Sequence, residues 1–365
     1  MQELDSLDSM EKMLVHKAYT RRVPINGSLE LLPLCNMNCD MCYVRLSKQE
    51  MEEKGRLRTR DEWITLAKQM RDAGTLFLLL TGGEPLLFPE FKELYIELQA
   101  MGMILTINSN GTLIDEEWAD FFAKHKPRRI NITLYGADDK AYEQLCHYKG
   151  GFEKTIHAIR LLREREIDVK MNGSITTKNE EDIKKILDFS RKLDTAVNLD
   201  TYMYPASRER SKPFDQQSRL MPEEAAKVKA MIYRLQWGQE AFEQYRDYVI
   251  DAVENYTPGM YGRHISCLAG NCSFTINWQG MIRPCVMQNV PEADVFLEGF
   301  DVGWKKISTQ TDNILINEQC VTCKYRPICN ICAAAALLET GEYEGIPKYI
   351  CEYTKEFYRQ MRERR

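Results

Sequence analysis

The sequence predicts an α/β fold in which six parallel strands alternate with helices and a small cysteine-rich region follows. Apolar runs predict the strands, at 28–34, 75–83, 103–111, 129–136, 168–176 and 196–204. Between them, apolar residues recur three and four positions apart, which predicts amphipathic helices that begin after Thr, Pro or Asp and end near Gly. Strands that alternate with helices form a parallel sheet with right-handed crossovers, open or curled as a partial barrel.

Composition favours a soluble globular protein with a sizeable core. The chain has 365 residues, of which 44% are hydrophobic and 28% are charged. The formal net charge of −5 offers no broad basic field, so we expect no nucleic-acid or membrane partner. The N-terminus has no apolar signal region, and no stretch approaches the roughly 20 apolar residues of a membrane helix. We therefore expect a cytoplasmic protein.

Twelve cysteines are the most unusual feature of a chain without an export signal. Disulfides seldom persist in a reducing cytosol, so clustered cysteines there are more often metal ligands or redox groups. Three lie at positions 35, 39 and 42, one lies at 146, and eight lie between 267 and 351. This clustering predicts two separate metal-binding regions, with Cys146 left over for packing.

The same patterns divide the chain. We expect an N-terminal extension at 1–27, a sheet domain at 28–220, a helical linker at 221–259, a cysteine domain at 260–355 and a helix end at 356–365. A polar stretch, PASRERSKPFDQQSRLMP, leads into the linker. The last cysteine-rich region has weak periodicity, and a small region of that kind is better held by metal than by an apolar core.

The loop CNMNCDMC follows the first strand and carries three thiols rather than four. A structural zinc site and a ferredoxin cluster usually take four protein ligands. Three thiolates on a four-iron cubane leave one iron open to a chelating amine and carboxylate, which the reductive cleavage of S-adenosylmethionine requires. A zinc loop without its fourth ligand and buried thiols are the alternatives.

Together with TGGEP at 81–85, after the second strand, this loop resembles the radical SAM superfamily over residues 28–206. The resemblance implies a partial (βα)6 TIM-like barrel that binds S-adenosylmethionine, and it differs from the family at Met41, where an aromatic residue is common. It also implies roles for particular residues. Cluster ligands would be Cys35, Cys39 and Cys42; methionine amino-group ligands would be Gly82, Gly83 and Glu84; ribose or carboxylate ligands would be Ser109, Asn110 and Thr133; and Tyr43 would lie near adenine or simply pack.

The C-terminal cysteines resemble the SPASM extension of peptide- and protein-modifying radical SAM enzymes, over about 260–355. The resemblance implies two auxiliary [4Fe–4S] clusters, three clusters in all. The first would be held by Cys267, Cys272, Cys285 and Cys332, and the second by Cys320, Cys323, Cys329 and Cys351. Only Asn330 and Ile331 separate Cys329 from Cys332, one residue fewer than the family commonly has. Two structural zinc sites are the alternative.

Polar residues end the sixth strand. Asp200, Tyr202 and Tyr204 lie where alternate side chains face the barrel interior. They are candidates for the acid or base that acts on the substrate. The alternative is that they pack at the rim.

The combined interpretation is a radical SAM peptide maturase. A 5′-deoxyadenosyl radical would take a hydrogen atom from a precursor peptide, auxiliary clusters would collect the surplus electron, and a crosslinked or oxidised side chain would result. An anaerobic sulfatase-maturing enzyme is the nearest alternative, although that family typically has an acidic residue where this chain has Val286. A non-catalytic electron-transfer or zinc protein is the third, and TGGEP argues against it.

Two kinds of partner follow from this interpretation. An electron donor such as flavodoxin or ferredoxin would reduce the first cluster. Many similar maturases carry a winged-helix domain that binds the leader of the precursor, but only 34 residues precede Cys35. We therefore expect a separate protein or an exposed sheet edge to capture the leader.

Overall fold

A computed structural model describes residues 9–205, 218–264 and 267–363. The strands are β1 (Asn26–Glu30), β2 (Phe77–Thr81), β3 (Ile104–Ser109), β4 (Arg129–Thr133), β5 (Val169–Ser174), β6 (Ala196–Asp200), β7 (Ser273–Ile276), β8 (Met281–Arg283) and β9 (Ala293–Asp294). The helices of the first part are α1 (Ser9–Arg21), α2 (Lys48–Lys54), α3 (Arg60–Asp72), α4 (Phe91–Ala100), α5 (Glu116–Lys124), α6 (Asp139–Cys146), α7 (Gly151–Glu164) and α8 (Ile183–Lys192). Those of the second part are α9 (Pro222–Trp237), α10 (Gln239–Glu254), α11 (Val295–Glu298), α12 (Phe300–Thr311), α13 (Glu318–Thr322), α14 (Ala333–Thr340) and α15 (Lys348–Arg362).

Local capping explains where several of these helices begin. Thr59 accepts a hydrogen bond from the backbone of Glu62, whose side chain accepts from the backbone of Thr59, so a capping box starts α3. Asp115 and Asp138 cap α5 and α6 in the simpler way, through a backbone N–H three residues on. Thr59 and Asp115 are residues at which the sequence pattern predicts a helix start, whereas the start at Asp138 was not predicted.

The first six strands form the predicted parallel sheet. Their order is β6-β5-β4-β3-β2-β1, each paired in parallel with its neighbour, and β1 and β6 do not meet. The sheet is therefore open, which confirms an α/β fold with a partial barrel. The carboxyl ends of all six strands lie at one edge, and the loops that follow β1, β2 and β3 meet there.

The C-terminal cysteine region does not stand apart from this sheet. Strand β7 pairs in parallel with β1, from Asn26 beside Ser273 to Leu29 beside Ile276, and β8 and β9 continue antiparallel. The sheet thus has nine strands in the described residues. Phe274 and Ile282 of this extension belong to the same apolar core as the barrel helices.

The domain boundaries predicted from the sequence do not all coincide with the ends of helices and strands. The extension at 1–27 contains α1 and the first residues of β1, while the boundary at 355 lies inside α15. The polar stretch at 206–217 lies outside the described residues, as do 1–8, 265–266 and 364–365.

The outer strand β6 is covered by α9. Lys229 donates from Nζ to the carbonyl of Leu199 at 2.8 Å, and Gln236 donates from Nε2 to the carbonyl of Val197 at 2.9 Å. These two side chains occupy acceptors that an added strand would need. The opposite outer strand, β9, has two residues. Two acceptors of the β6 edge are thus occupied, and leader capture at an exposed sheet edge stays a prediction. No helix in the described ranges is long and apolar enough to cross a membrane.

Candidate active site

The three-cysteine loop leaves β1 at the edge where the strands end. Backbone N–H groups already point at its sulfur atoms: Met37 donates to Cys35 Sγ at 3.4 Å, and Arg45 donates to Cys42 Sγ at 3.3 Å. Burial raises the pKa of the Cys35 thiol to about 12, and the negative charges of Glu84, Cys39 and Cys42 add to that rise. The three thiols therefore lie within electrostatic reach of one another.

The glycine segment lies directly against the start of this loop. Gly83 N donates to the Leu32 carbonyl at 2.7 Å, and Glu84 N donates to the Leu34 carbonyl at 2.9 Å. A Cβ atom at Gly82 would lie 2.4 Å from the Leu32 oxygen, and one at Gly83 would lie 2.2 Å from the Leu34 oxygen. Only glycine permits this approach of two backbones. The glycines thus have a structural reason to be here besides the predicted role in binding methionine.

Glu84 is a buried carboxylate at the centre of this edge. Its side chain is fully buried, and it accepts hydrogen bonds from Ser109 Oγ at 2.8 Å, from Asn110 N at 2.8 Å and from Leu86 N at 3.3 Å. Burial outweighs these bonds and raises its pKa to about 7. A cation bound next to Glu84 would offset the cost of burying its charge.

Asn110 connects the end of β3 to the cysteine loop. Its Nδ2 lies 3.7 Å from Cys35 Sγ and donates to Asn36 Oδ1 at 2.9 Å. The other two cofactor candidates are less closely placed: Thr133 ends β4, beside Asn172 of β5, and Tyr43 is half-buried directly after Cys42. Ser109 and Asn110 thus meet Glu84 and the cysteine loop.

Sequence reasoning missed how the loop is anchored. The Asp40 carboxylate lies 2.8 Å from His147 Nε2, and it accepts from Lys178 Nζ and, at 3.2 Å, from Ser218 Oγ. Although burial opposes it, hydrogen bonds from Lys178 and His147 lower the pKa of Asp40. The position of Asp40 between two cysteines was a signal, but its partners are more than 100 residues away.

Cys146 also contacts the cysteine loop. It is fully buried in the core, as expected for a packing residue, and its carbonyl accepts from Asn38 N at 3.0 Å. A hydrogen bond between the Cys39 and Cys146 thiols, together with burial, holds the pKa of Cys39 well above its usual value. Cys146 therefore supports the cysteine loop as well as the core.

The proposed first auxiliary set surrounds a cavity of about 350 Å³. Three of its four members, Cys267, Cys285 and Cys332, line this cavity, together with Arg22 and His264, which sequence reasoning did not select. Cys272 is fully buried, and burial, followed by the nearby charge of Cys267, raises its pKa to about 12. Cys332 thus joins the earlier cysteines despite its shortened spacing from Cys329.

The cysteines of the proposed second auxiliary set also lie close to one another. Burial raises the pKa of Cys320 to about 11, and the charges of Cys329, Cys351 and Cys323 add to the rise. Thr354 donates from Oγ1 to Cys329 Sγ at 3.7 Å. Cys323 is exposed, which places this set near the surface.

The rim residues lie between the barrel and the C-terminal region. Tyr202 and Tyr204 pack edge to face with ring centroids 4.9 Å apart, and Tyr204 donates to Cys332 Sγ at 3.8 Å. Burial raises the pKa of both tyrosines above the usual range. Asp200 is exposed, and its Oδ1 accepts from Tyr202 N at 3.2 Å. The two tyrosines thus pack at the rim, and the role of Asp200, Tyr202 or Tyr204 as acid or base stays a prediction.

These donor sets fit iron–sulfur clusters chemically. Buried thiols with raised pKa values ionise only beside positive charge, and N–H groups that donate to sulfur are typical of such sites. No three His, Cys, Asp or Glu side chains in the part of the chain that the structure describes converge closely enough to hold a single metal ion. A cubane needs no such convergence, because each thiolate binds a different iron.

Comparisons with known proteins agree with this geometry. Residues 29–190 match the Radical SAM superfamily. The AdoMet-dependent heme synthase of Methanosarcina barkeri (strain Fusaro / DSM 804) is 23% identical over 331 residues, which span 86% of this chain and 92% of that protein. The sporulation killing factor maturation protein SkfB of Bacillus subtilis (strain 168) is 23% identical over 293 residues, which span 77% of this chain and 65% of SkfB.

A solved structure shows the same fold. Streptococcus suis SuiB bound to precursor peptide SuiA superposes with a TM-score of 0.68 at 17% identity, covering 95% of this chain and 82% of SuiB. The residues that match the Radical SAM superfamily contain the cysteine loop, the glycine segment and Glu84, and the fold brings these together at one edge of the sheet. Residues 29–190 therefore form a radical SAM domain, and the chain is an enzyme whose cofactors are S-adenosylmethionine and a [4Fe–4S] cluster.

Proposed function

We propose that this enzyme modifies a side chain of a ribosomally synthesised precursor peptide, by crosslinking or oxidation. Two observations support the proposal: Cys267, Cys285 and Cys332 line one cavity beside the barrel rim, and Cys320 lies near Cys323, Cys329 and Cys351. An enzyme that removes a hydrogen atom and then an electron from its substrate needs an electron acceptor near that substrate. The likeness to SkfB and to SuiB with its bound peptide supports a peptide substrate.

The residues at the edge of the sheet divide the work. Cys35, Cys39 and Cys42 would hold the cluster, which supplies the electron that cleaves S-adenosylmethionine to a 5′-deoxyadenosyl radical. Glu84 would accept a hydrogen bond from the methionine ammonium, since within the described residues its Oε2 accepts only from Asn110 N. Ser109 and Asn110 hold Glu84 in place. Thr133 and Tyr43 would bound the nucleoside, while Gly82 and Gly83 shape the loop.

The C-terminal sets would each hold an auxiliary [4Fe–4S] cluster, which makes three clusters in the enzyme. Because all four irons of such a cluster carry protein thiolates, it transfers electrons and does not cleave S-adenosylmethionine. The exposed position of Cys323 gives the second cluster a route to an external carrier such as flavodoxin or ferredoxin. A separate protein would bind the leader, since α9 covers the β6 edge.

The test is anaerobic incubation of the reconstituted protein with S-adenosylmethionine, a strong reductant and candidate precursor peptides, taken from short reading frames next to its gene. We expect 5′-deoxyadenosine and a peptide that has lost two hydrogen atoms, detected by mass spectrometry. Parallel reactions contain an iron porphyrin, because of the heme synthase relative, or a cysteine peptide from a sulfatase. Turnover of either in place of the precursor peptide would overturn the proposal.

The proposed role of Glu84 predicts a pH-dependent affinity for S-adenosylmethionine. Its pKa of about 7 lies above the ordinary value because of burial, so Glu84 loses its charge as the pH falls through 7. If the ammonium binds the carboxylate form, the dissociation constant rises about tenfold between pH 8 and pH 6. Anaerobic calorimetry measures it. Glu84→Gln should bind S-adenosylmethionine more weakly at pH 8, and its dissociation constant should not rise between pH 8 and pH 6. A rise in this variant as large as that of the parent would contradict the role.

A further inference from the structure

In each of the three cysteine groups, a side chain donates a hydrogen bond to a sulfur atom. Asn110 Nδ2 donates to Cys35 Sγ at 3.7 Å, Thr354 Oγ1 donates to Cys329 Sγ at 3.7 Å, and Tyr204 Oη donates to Cys332 Sγ at 3.8 Å. Tyr204 follows β6 of the barrel, while its acceptor precedes α14 of the C-terminal region. Thr354, by contrast, lies in the same C-terminal region as its acceptor. It therefore joins the rim of the barrel to the first auxiliary set.

The Tyr204 ring is held in place by a chain of packed groups. Its ring centroid lies 4.9 Å from that of Tyr202, which lies 5.5 Å from that of Tyr349. The Tyr202 hydroxyl donates to Glu339 Oε1 at 3.2 Å, and the buried guanidinium of Arg219 pairs with the same carboxylate. Rotation of Tyr204 away from Cys332 would remove one of the two edge-to-face partners of Tyr202.

A neutral hydroxyl that donates to a cluster thiolate withdraws negative charge from the sulfur atom. The reduced cluster carries one more negative charge than the oxidised cluster, so the hydrogen bond stabilises the reduced state more and raises the reduction potential. A tyrosine hydroxyl has an ordinary pKa of about 10, so Tyr204 is protonated at physiological pH and remains a donor. The same bond to Cys332 thus favours acceptance of an electron at the rim.

We propose that Tyr204 is a positioning residue that raises the reduction potential of the first auxiliary cluster through its hydrogen bond to Cys332. The inference rests on the proposed function, because it takes Cys332 as a ligand of that cluster. It adds no chemical step. It assigns to the first cluster a donor that comes from the barrel rim, where an electron acceptor for the substrate is needed.

The test uses the full-length chain with Cys35, Cys39 and Cys42 all changed to Ala, so that only auxiliary clusters contribute to the spectra. Tyr204→Phe in this background removes the hydroxyl and keeps the ring. Redox titration followed by electron paramagnetic resonance should show a lower midpoint potential for one auxiliary cluster and an unchanged value for the other. Tyr202→Phe is the matched control, because its hydroxyl bonds Glu339 and not sulfur. Thr354→Val should lower the midpoint potential of the other auxiliary cluster only.

Three outcomes would overturn the inference: an unchanged potential in Tyr204→Phe with full iron content, an equal shift in Tyr202→Phe, or a Tyr204→Phe shift in the same cluster that Thr354→Val affects. If Tyr204→Phe binds less iron, Tyr204→His replaces it, since it keeps a ring with an N–H donor. A parental potential in Tyr204→His then supports the inference, and a lowered one contradicts it. These titrations contain no peptide, so failure of peptide modification leaves them interpretable and is recognised separately.

Discussion

Replacing Cys39 by Ala is expected to reduce 5′-deoxyadenosine formation to background. Cys39 lies in the middle of the loop, and its thiol is nearly inaccessible, with 6% of the residue exposed. Water therefore has poor access to an iron left without that thiolate, and Cys35 and Cys42 alone would not retain a cubane. The measurement is the anaerobic yield of 5′-deoxyadenosine with S-adenosylmethionine and dithionite. We expect the iron content to fall by one cluster per chain and the auxiliary clusters to remain.

The matched control is Cys146→Ala, because Cys146 is a second buried thiol in contact with Cys39. Its loss leaves a small cavity in the core and should lower the free energy of unfolding by roughly 1 kcal/mol. Its iron content and 5′-deoxyadenosine yield should stay near those of the parent. Equal loss of the cluster in both variants would mean that the Cys39 effect is one of folding, and turnover by Cys39→Ala would contradict the assignment of its thiol as a ligand.

Short-range patterns predicted the barrel well because the interactions behind them are local. The six strands lie inside or within two residues of the predicted apolar runs. Thr59 and Asp115 directly precede predicted helices, and each side chain caps a backbone N–H three residues on. The alternation of strands and helices then fixes a parallel sheet, whose carboxyl ends necessarily share an edge. The meeting of Cys35, Glu84 and Ser109 follows from that rule.

Long-range contacts were the part that the sequence did not predict. Nothing local to Ser273–Ile276 signals that β7 pairs with β1, which lies almost 250 residues earlier, so the C-terminal region was expected to be a separate domain. The Asp40 anchor is similar, because His147, Lys178 and Ser218 come from three distant segments. Such contacts depend on how the elements pack, which no periodicity in one segment encodes.

The resemblance to SPASM proteins predicted more about the C-terminal cysteines than spacing could. Spacing alone groups Cys332 with Cys329, three residues earlier. In the structure Cys332 instead lines a cavity with Cys267 and Cys285, while Cys329 lies near Cys320 and Cys351. The shortened spacing is accommodated because Cys329 and Cys332 have extended backbones, which carry the two thiols to different sites.

Replacing Cys332 by Ala is therefore expected to abolish formation of the modified peptide while S-adenosylmethionine is still cleaved. The first auxiliary cluster would lose the ligand that lies closest to Tyr204 and the barrel rim, at 3.8 Å. A substrate radical formed there would then have no acceptor for its electron, and it would be quenched without forming a bond. The measurement compares modified peptide with 5′-deoxyadenosine in the same anaerobic reaction. We expect the peptide product at background and 5′-deoxyadenosine within about twofold of the parent.

Cys329→Ala is the matched control for this variant, because it removes a thiol of the same segment from the other set. In a background without the N-terminal cluster, the two variants should delete different paramagnetic signals, and Cys332→Ala should delete the one that Tyr204→Phe shifts. Deletion of the same signal by both would mean that Cys329 and Cys332 bind one cluster, as their spacing alone suggests. Full peptide modification by Cys332→Ala would show that the electron leaves the substrate by another route. The candidate acceptor would then be the second cluster, whose proposed ligands include Cys320, Cys323 and Cys351.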